Sequence, residues 1–487
     1  MFRVMTGTKR YFLFILLSVP LLASAQNYHA IQGSSLAGGL GVHNNPSSIV
    51  NNPFKWDLTL IGIQAKASTN IVTIRNYSLL SKPSNSEYIF EGGLKSRYAI
   101  ASVNVNLLNA RIALNRKHAI AFGANLRNYI WARSSEYNFF DTLQQVSQFL
   151  TLNERNQPLG ADAINSSWIE LYGTYAVTVL DNEVSRLNAG ATLKLSRGIS
   201  GAHAGIGNAR FNRIPTAIPP NYDIGNASAS YGYSSNYDRW VDENSTAQNI
   251  RNFLQYTEGG ISIDAGIEWL VRPQAAPLFG EDDYFDYEWK LGLSLLDFGV
   301  NQYKYGTQSR TASGVRTGIT SVDINNKFDS TINSLQIFND SLATVANQFS
   351  SLGGVFRVIN PTRLVANVDR YVQDNFFINA ELSVNLSGIF GKKWFYVKEM
   401  NLLTVTPRWE TRRLGVYMPV SFNTQKQFWV GAAVKAGPVL FGLHNLAYIF
   451  SKKSIHKGGG YLAITLRPFN FTGRKRDRTL DCPPETR

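Results

Sequence analysis

Seven stretches of this chain alternate apolar and polar residues over eight or more positions, and no charged residue falls on the apolar side of any of them. Side chains of a β-strand point to opposite faces in turn, so period two marks a strand with two different surroundings. Ala99, Ala101, Val103, Val105 and Leu107 alternate with Ile100, Ser102, Asn104 and Asn106, and Ile120, Phe122, Ala124 and Leu126 with Ala121, Gly123, Asn125 and Arg127. The pattern returns from Ile169 to Val179 around Glu170, from Leu187 to Ser196 around Lys194, and from Ile261 to Trp269 around Asp264 and Glu268. It recurs from Tyr287 to Leu295, opposing Glu288 and Lys290, and from Ile378 to Leu386, opposing Glu381. These apolar faces hold about 35 positions, where a chain with 17% charged residues would place about six charges. Lipid is the surrounding that excludes charge so thoroughly, since Arg or Lys at mid-bilayer costs about 2–4 kcal/mol.

A soluble β-sandwich also has half-buried, alternating strands. Against it, these runs exceed the usual five or six residues of soluble strands, and aromatics gather at their ends. Trp269, Tyr287, Trp289 and Trp409 are expected at one membrane interface, Trp131 and Trp429 at the other. Connections alternate in length: 132–166 then 181–186, 199–258 then 271–285, 299–360 then 373–375, 388–401 then Thr411-Arg412, and 423–427 then Gly437-Pro438, before 451–458. Short turns on one side and long loops on the other are the plan of an outer-membrane barrel. The expected fold is all-β, a transmembrane antiparallel β-barrel of about fourteen strands, the first near Trp56 to Ala67. Phase slips at Leu60/Ile61 and Leu107/Leu108 leave bulges or extra turns as alternatives.

Export is written at the N-terminus. Arg3, Lys9 and Arg10 precede an uncharged run, Tyr11 to Leu22, and Ala23-Ser24-Ala25 supplies the small residues of a signal-peptidase site, with cleavage after Ala25. The run is too short for a retained spanning helix. Removing the signal lowers the formal charge of +14 by three, to +11. For an exported chain this basic balance points to anionic lipid or polysaccharide headgroups, and nucleic acid is not an expected partner. The lone cysteine, Cys482, permits no internal disulfide. The expected organisation is a signal peptide (1–25), a plug or hatch (26–55), an outer-membrane barrel (56–469) and a basic tail (470–487), with both termini periplasmic.

Fourteen strands close at a backbone radius of about 15 Å, leaving a lumen that inward side chains do not fill. The Gly/Asn/Ser-rich segment before the first strand, with Asn44-Asn45-Pro46 and Asn51-Asn52-Pro53, has the bulk to occupy about half of it. Plug and extended periplasmic arm are both compatible with this segment; the plug is taken forward. In the loops, Ile324, Phe328, Ile332, Leu335, Phe338, Leu342, Val345, Phe349 and Leu352 recur at helical spacing. Phe139, Leu143, Val146 and Leu150 do likewise, as do Ile250, Phe253 and Leu254. Helix-containing extracellular loops follow, packing together as a lid or lining a groove for a hydrophobic ligand.

Gly39-Leu40-Gly41 followed by Asn44-Asn45-Pro46-Ser47-Ser48 is similar to the hatch of fatty-acid-transporter-like (FadL-type) barrels. Leu295-Leu296-Asp297-Phe298-Gly299, Thr406-Pro407-Arg408-Trp409-Glu410, and Met418-Pro419-Val420-Ser421-Phe422 with Gly431 and Gly437-Pro438 resemble a DUF5723-like family of Bacteroidota outer-membrane proteins. That resemblance covers nearly the whole mature chain and implies a FadL-like barrel, while carrying no assigned activity. Ser47 stands where the fatty-acid transporters have alanine after the proline, so fatty-acid transport is not carried over.

No Gly-x-Ser-x-Gly elbow is present and the six histidines lack metal-ligand spacing, so no enzyme, cofactor or metal is expected. Glu281, Asp282, Asp283 and Asp286 read as a solvated turn, and Gly201 to Gly207 precedes no helix that would make it a phosphate cradle. The lumen-facing candidates are Arg127, Glu170, Lys194, Asp264, Glu268, Glu288, Lys290, Glu381, Arg408 and Lys435, with Asn45, Pro46, Asn52 and Pro53 in the plug. Charges of both signs brace a plug or select a solute, and bracing is preferred for most of them. The expected function is a channel or transporter that passes a small solute, a hydrophobic one among the candidates, across the outer membrane. The alternative is a non-transporting barrel that binds or scaffolds a secretion or surface-assembly system.

Overall fold

A computed structural model of the chain describes residues 28–78, 86–272, 286–390, 394–447 and 454–468. The signal segment, Glu281 to Asp283 and the basic tail lie outside these residues. Fourteen antiparallel strands form a closed barrel. They are β1 (Trp56–Thr69), β2 (Gly93–Ala113), β3 (His118–Phe139), β4 (Leu159–Asp181), β5 (Ser185–Arg213), β6 (Gly259–Val271) and β7 (Trp289–Lys304). Then come β8 (Val355–Ile359 with Arg363–Gln373), β9 (Phe376–Asn385), β10 (Leu402–Glu410), β11 (Leu414–Tyr417 with Val420–Asn423), β12 (Phe428–Val430 with Ala432–Ala436), β13 (Val439–Leu443) and β14 (Lys457–Leu466). Each strand pairs with its sequence neighbour, and β14 closes on β1 through Leu58–Leu466, Thr59–Thr465 and Ile61–Ile464. Closure leaves no unpaired edge, which a wall in lipid requires because nothing there replaces a missing backbone hydrogen bond.

Both phase slips are β-bulges. The register jumps between Thr59 and Ile61 on β1 and between Asn106 and Leu108 on β2. Each inserts one residue, which restores the inward set of Asp57, Thr59, Gln64 and Lys66 on β1 and of Asn104, Asn106, Asn109 and Arg111 on β2.

The outer face is apolar and exposed: Leu171, Tyr175 and Val179 on β4, Leu193 and Leu195 on β5, and Ile261, Ile263 and Ile267 on β6. Trp56, Trp269, Trp289 and Trp409 ring the short-turn end, where strands 6 and 10 finish and strands 1 and 7 begin. Three aromatics depart from this girdle. Trp131, Trp429 and Tyr287 are buried inside the barrel, because the lumen needs bulk that small polar side chains lack.

The chain enters at Trp56 and leaves at Leu466 at the same end, with the connections 114–117, 182–184, 374–375, 411–413 and Gly437-Pro438. Strands β2 to β5 run 21, 22, 23 and 29 residues, against about 9–11 needed to cross a bilayer. Residues 132–139, 159–166 and 199–213, expected in loops, are therefore strand, and Gly201 to Gly207 lie within β5. Above the lipid both faces meet water or loops, so the hydrophobic alternation fades while the backbone ladder continues.

The long-loop end carries short helices: α1 (Val146–Leu152), α2 (Thr246–Leu254), α3 (Ser321–Lys327) and α4 (Leu335–Val345). The stripe from Ile324 to Leu352 is two helices followed by a strand, Ala346–Ser351, and Phe139 belongs to β3. Thr320 and Ser334 cap new N-termini and interrupt the run. α1 packs on the extended strands through Leu150, Phe211 and Tyr222, while Phe328 and Phe338 join α4 to the turn after α3.

An arginine on the outer band tests the assignment. Leu193→Arg should lower folding stability in lipid vesicles by about 2–4 kcal/mol in a denaturant titration, and Leu193→Phe should leave it nearly unchanged. Equal stability of Leu193→Arg and the parent would place this face out of the lipid.

Candidate functional site

The first described residues, Tyr28 to Phe54, fold inside the barrel as three 3₁₀ turns, His29–Ile31, Gly38–His43 and Pro46–Val50. Local chemistry sets their geometry. The Asn45 side chain accepts from the Ser47 N–H at 3.0 Å and Pro46 opens the third turn. Gly38 has φ +64, and a Cβ there would stand 2.7 Å from the Asp57 carboxylate. Gly39 N–H then donates to that carboxylate at 2.7 Å.

The wall is shaped to receive the third turn. Gly190 on β5 and Gly266 on β6 are register partners. A Cβ on Gly190 would lie 2.6 Å from the Pro46 carbonyl carbon, and one on Gly266 would collide with the Asn45 amide. Asn45 Nδ2 donates to the Ile267 carbonyl at 2.9 Å, across the space those absent side chains leave. Asn52 Nδ2 donates to the Ser35 carbonyl at 2.8 Å, folding the plug's end back on its beginning, and Pro53 is half-buried at the exit to β1.

Polar ties hold plug to wall around the ring. Arg111 on β2 donates to the Ile49 and Phe54 carbonyls at 2.6 and 2.8 Å, and its guanidinium faces Asp57 at 3.4 Å. Arg186 on β5 donates to Asn51, and Asn44 Nδ2 donates to Glu381 on β9 at 2.7 Å. Ser34 Oγ donates to Glu410 on β10 at 2.5 Å. His43 stacks edge-on to Tyr172, and its Nε2 lies 2.8 Å from the Asn106 amide nitrogen. Burial, reinforced by Lys194 and Arg127, holds the His43 imidazole well below its ordinary range. The ring is therefore neutral, and its Nε2 accepts from Asn106.

Beyond the plug the wall's own charges pair with one another on the inner face. Asp297 on β7 accepts from Arg127 on β3 through both oxygens, at 2.5 and 2.8 Å, and from Lys194 on β5 at 2.6 Å. Lys194 also meets Asp264 at 2.7 Å, and Asp264 accepts from the Asp297 N–H at 2.6 Å. Glu170 accepts from Trp168 Nε1 at 2.7 Å and Asn125 at 2.9 Å. At the short-turn end Arg408 donates to both oxygens of Asp369 at 2.6 and 2.7 Å, while Lys435 and Tyr417 donate to Glu410, each at 2.8 Å. Lys290 faces Glu268 at 3.6 Å.

Nine of the ten charged candidates thus lie buried on the inner face. Glu288 is the correction: it is half-buried and precedes β7, while Tyr287 turns inward and donates to Asp369. The strand starts only at Trp289, so alternation read back through 287 and 288 assigns both to the wrong face. Asp286, expected in a solvated turn, is buried as well.

Asp57, Lys66, Arg111, Arg186, Asp369 and Glu399 are missed in the sequence, as is Asp297, the acceptor at the centre of the largest network. Its signal is the doublet Leu295-Leu296, which breaks the alternation. The register between β7 and β6 shifts between Leu295 and Phe298, and Asp297 sits there at φ +58, an arrangement that aims its carboxylate inward.

Towards the long loops Tyr129, Trp131, Trp168, Tyr303, Phe356 and Trp429 form one buried aromatic cluster. Val397 and Met400 join it from the segment before β10, where Phe395–Tyr396 pair in parallel with Val358–Ile359. Glu399 of this segment meets Lys66 of β1 at 2.5 Å, with both buried. Among the described residues no group of three His, Cys, Asp or Glu side chains is placed to hold a metal.

A buried ion pair contributes little net stability, but removing one partner strands the other. Asp297→Asn should cost about 3–5 kcal/mol in thermal or denaturant unfolding of the detergent-solubilised barrel, and adding Arg127→Met should recover part of the loss. Parent-like stability of Asp297→Asn would show that this network bears no load.

The model of a family of unknown function (DUF5723) matches residues 46–444. No curated protein matches. Among solved structures, a Pseudomonas aeruginosa FadL homologue is 10% identical with a TM-score of 0.41, covering 91% of this chain and 97% of that one. The P. putida toluene transporter TodX is 9% identical at 0.41, covering 88% and 94%, and the Ralstonia pickettii toluene transporter TbuX is 8% identical at 0.38, covering 88% and 94%.

Proposed function

The chain belongs to the DUF5723 family, and from that premise and the plugged geometry we propose that it is an outer-membrane channel or transporter for a small, hydrophobic solute, with the plug as its moving part. The observation that carries this reading is the chemistry of the plug seat. A barrel filled only for stability is packed most cheaply with apolar side chains, since replacing buried ion pairs by hydrophobic residues is often neutral or stabilising. Here the filler is a separate segment tied to the wall by carbonyl, amide and carboxylate contacts beside the apolar contacts of Tyr28, Ile31, Leu40, Val42, Ile49 and Val50. The polar contacts exchange for water at a net cost of only about 0.5–1.5 kcal/mol each, so release of the segment is opposed chiefly by its apolar contacts. The aromatic cluster beyond it offers an apolar solute a surface on the far side. In this reading the short-turn end and both termini face the periplasm, the signal is removed after Ala25, and the outer-membrane lipid is the standing partner.

A second reading is a barrel that scaffolds a secretion or surface-assembly system. Exposed apolar residues on one loop, Trp240, Ile250, Leu254 and Tyr256, favour it.

Planar-bilayer recording separates the two. The mature protein should show little conductance, and deletion of Gln26 to Asn52 should open stable steps of a wide pore. Absence of conductance and of solute uptake in both forms would overturn the channel, and a stoichiometric crosslinked protein in that case would favour the scaffold.

A further inference from the structure

The plug carries two histidines, His29 and His43, and the first of them meets another imidazole on the wall. His29, in the first turn of the plug, and His444, directly after β13, are 2% and 3% exposed, with ring centroids 4.6 Å apart. Their contact crosses the seam between plug and wall. Lys66 of β1 faces both rings, and Arg363 of β8 faces His29. Tyr461 of β14 lies 5.1 Å from the His444 ring, and Thr406 of β10 donates to the His29 carbonyl at 3.4 Å. The acids of this neighbourhood are engaged elsewhere: Glu399 meets Lys66 at 2.5 Å, and Glu381 of β9 accepts from Asn44 and Asn367 at 2.7 and 3.2 Å. Among the described residues neither His29 Nε2 nor either ring nitrogen of His444 has a hydrogen-bond partner, so no acceptor is in place for an added proton.

Burial, then the neighbouring ring, Lys66 and Arg363, hold His29 well below its ordinary range, and burial with Lys66 pushes His444 down to about 3. Both rings are therefore neutral while the plug is seated. In water an imidazole takes up its proton near pH 6.5, about the value each ring regains once the plug leaves. Docking is thus fully favoured above that pH, and each ring weakens it by a factor approaching ten for every unit below, down to the depressed value of the seated state. His43 acts in the same sense from the second turn, where Lys194, Arg127 and Arg363 outweigh Asp297 beside it.

We propose that His29 and His444 form a latch released by acid: protonation of the two imidazoles drives the start of the plug off the wall, and the barrel opens as pH falls. The latch rests on the transport reading above and supplies its regulation.

Thiol protection measures docking without reference to transport. In the mature protein with Cys482→Ser and Gln32→Cys, the rate of modification by a methanethiosulfonate reagent, set against the rate for the urea-unfolded chain at the same pH, gives a protection factor. Between pH 6.5 and 5 this factor should fall at least a hundredfold. Adding His29→Gln and His444→Gln should leave protection at pH 7.5 within tenfold of the parent and make the fall at least tenfold smaller. If that variant fails to fold, His29→Asn alone takes its place and should reduce the fall at least fivefold. Protection that does not change with pH, or variants that lower it equally at every pH as a purely structural contact would, overturn the latch. Conductance after deletion of Gln26 to Asn52 together with pH-independent protection removes the latch and keeps the channel. Protection that follows pH as expected, with no conductance or solute uptake at any pH or after the deletion, supports the latch and removes the channel.

Discussion

A closed wall in lipid inverts the usual arrangement of a protein, and every other feature of this fold follows from the inversion. Side chains that face the bilayer must be apolar, so the charges of fourteen strands are turned into a lumen with little water to screen them. Each of the main acids there meets a cation or a hydrogen-bond donor from another strand: Asp297 with Arg127 and Lys194, Asp369 with Arg408, Glu410 with Lys435. Arg127–Asp297 reaches from β3 to β7 and the other pairs bridge strands two apart, so they tie non-adjacent strands together at the same time as they neutralise one another.

The plug fits this interior by exploiting what the pairs leave over. It presents backbone carbonyls and small polar side chains to the wall, which answers with arginines 111 and 186 and with carboxylates 381 and 410, and its Tyr28, Ile31, Leu40, Val42, Ile49 and Val50 pack on apolar side chains of the wall. Shape complements charge, since Gly190 and Gly266 remove the side chains that would occupy the seat of Asn45 and Pro46. On the long-loop side of the plug, the aromatic cluster and the Lys66–Glu399 pair are buried.

Much of the wall was legible because lipid imposes a rule on single residues. Leu193, Ile263 and Ile267 are apolar since each alone meets the bilayer, and Lys194 and Asp264 must then point the other way. The rule weakened wherever the surroundings changed. Above the lipid the outward residues of β5 include Arg197, Asn208 and Arg210, the apolar alternation is lost, and strand reads as loop. At Tyr287 and Glu288 the strand had not yet begun, and at Leu295-Leu296 a bulge shifted the phase and concealed Asp297. Among the loop helices, capping residues Thr320 and Ser334 cut what spacing alone joins into one stripe.

The sequence by itself determined the class of fold, the two faces of its strands and the alternation of turns with loops, because those are local consequences of residue type and period in a fixed solvent. Only the tertiary structure decided which charges are partners and where the plug sits. It also placed Trp131 and Trp429 in the lumen. Those are relations across the barrel, between residues as far apart in the chain as Ser34 and Glu410, and they are set by strand register and closure, which no single segment encodes.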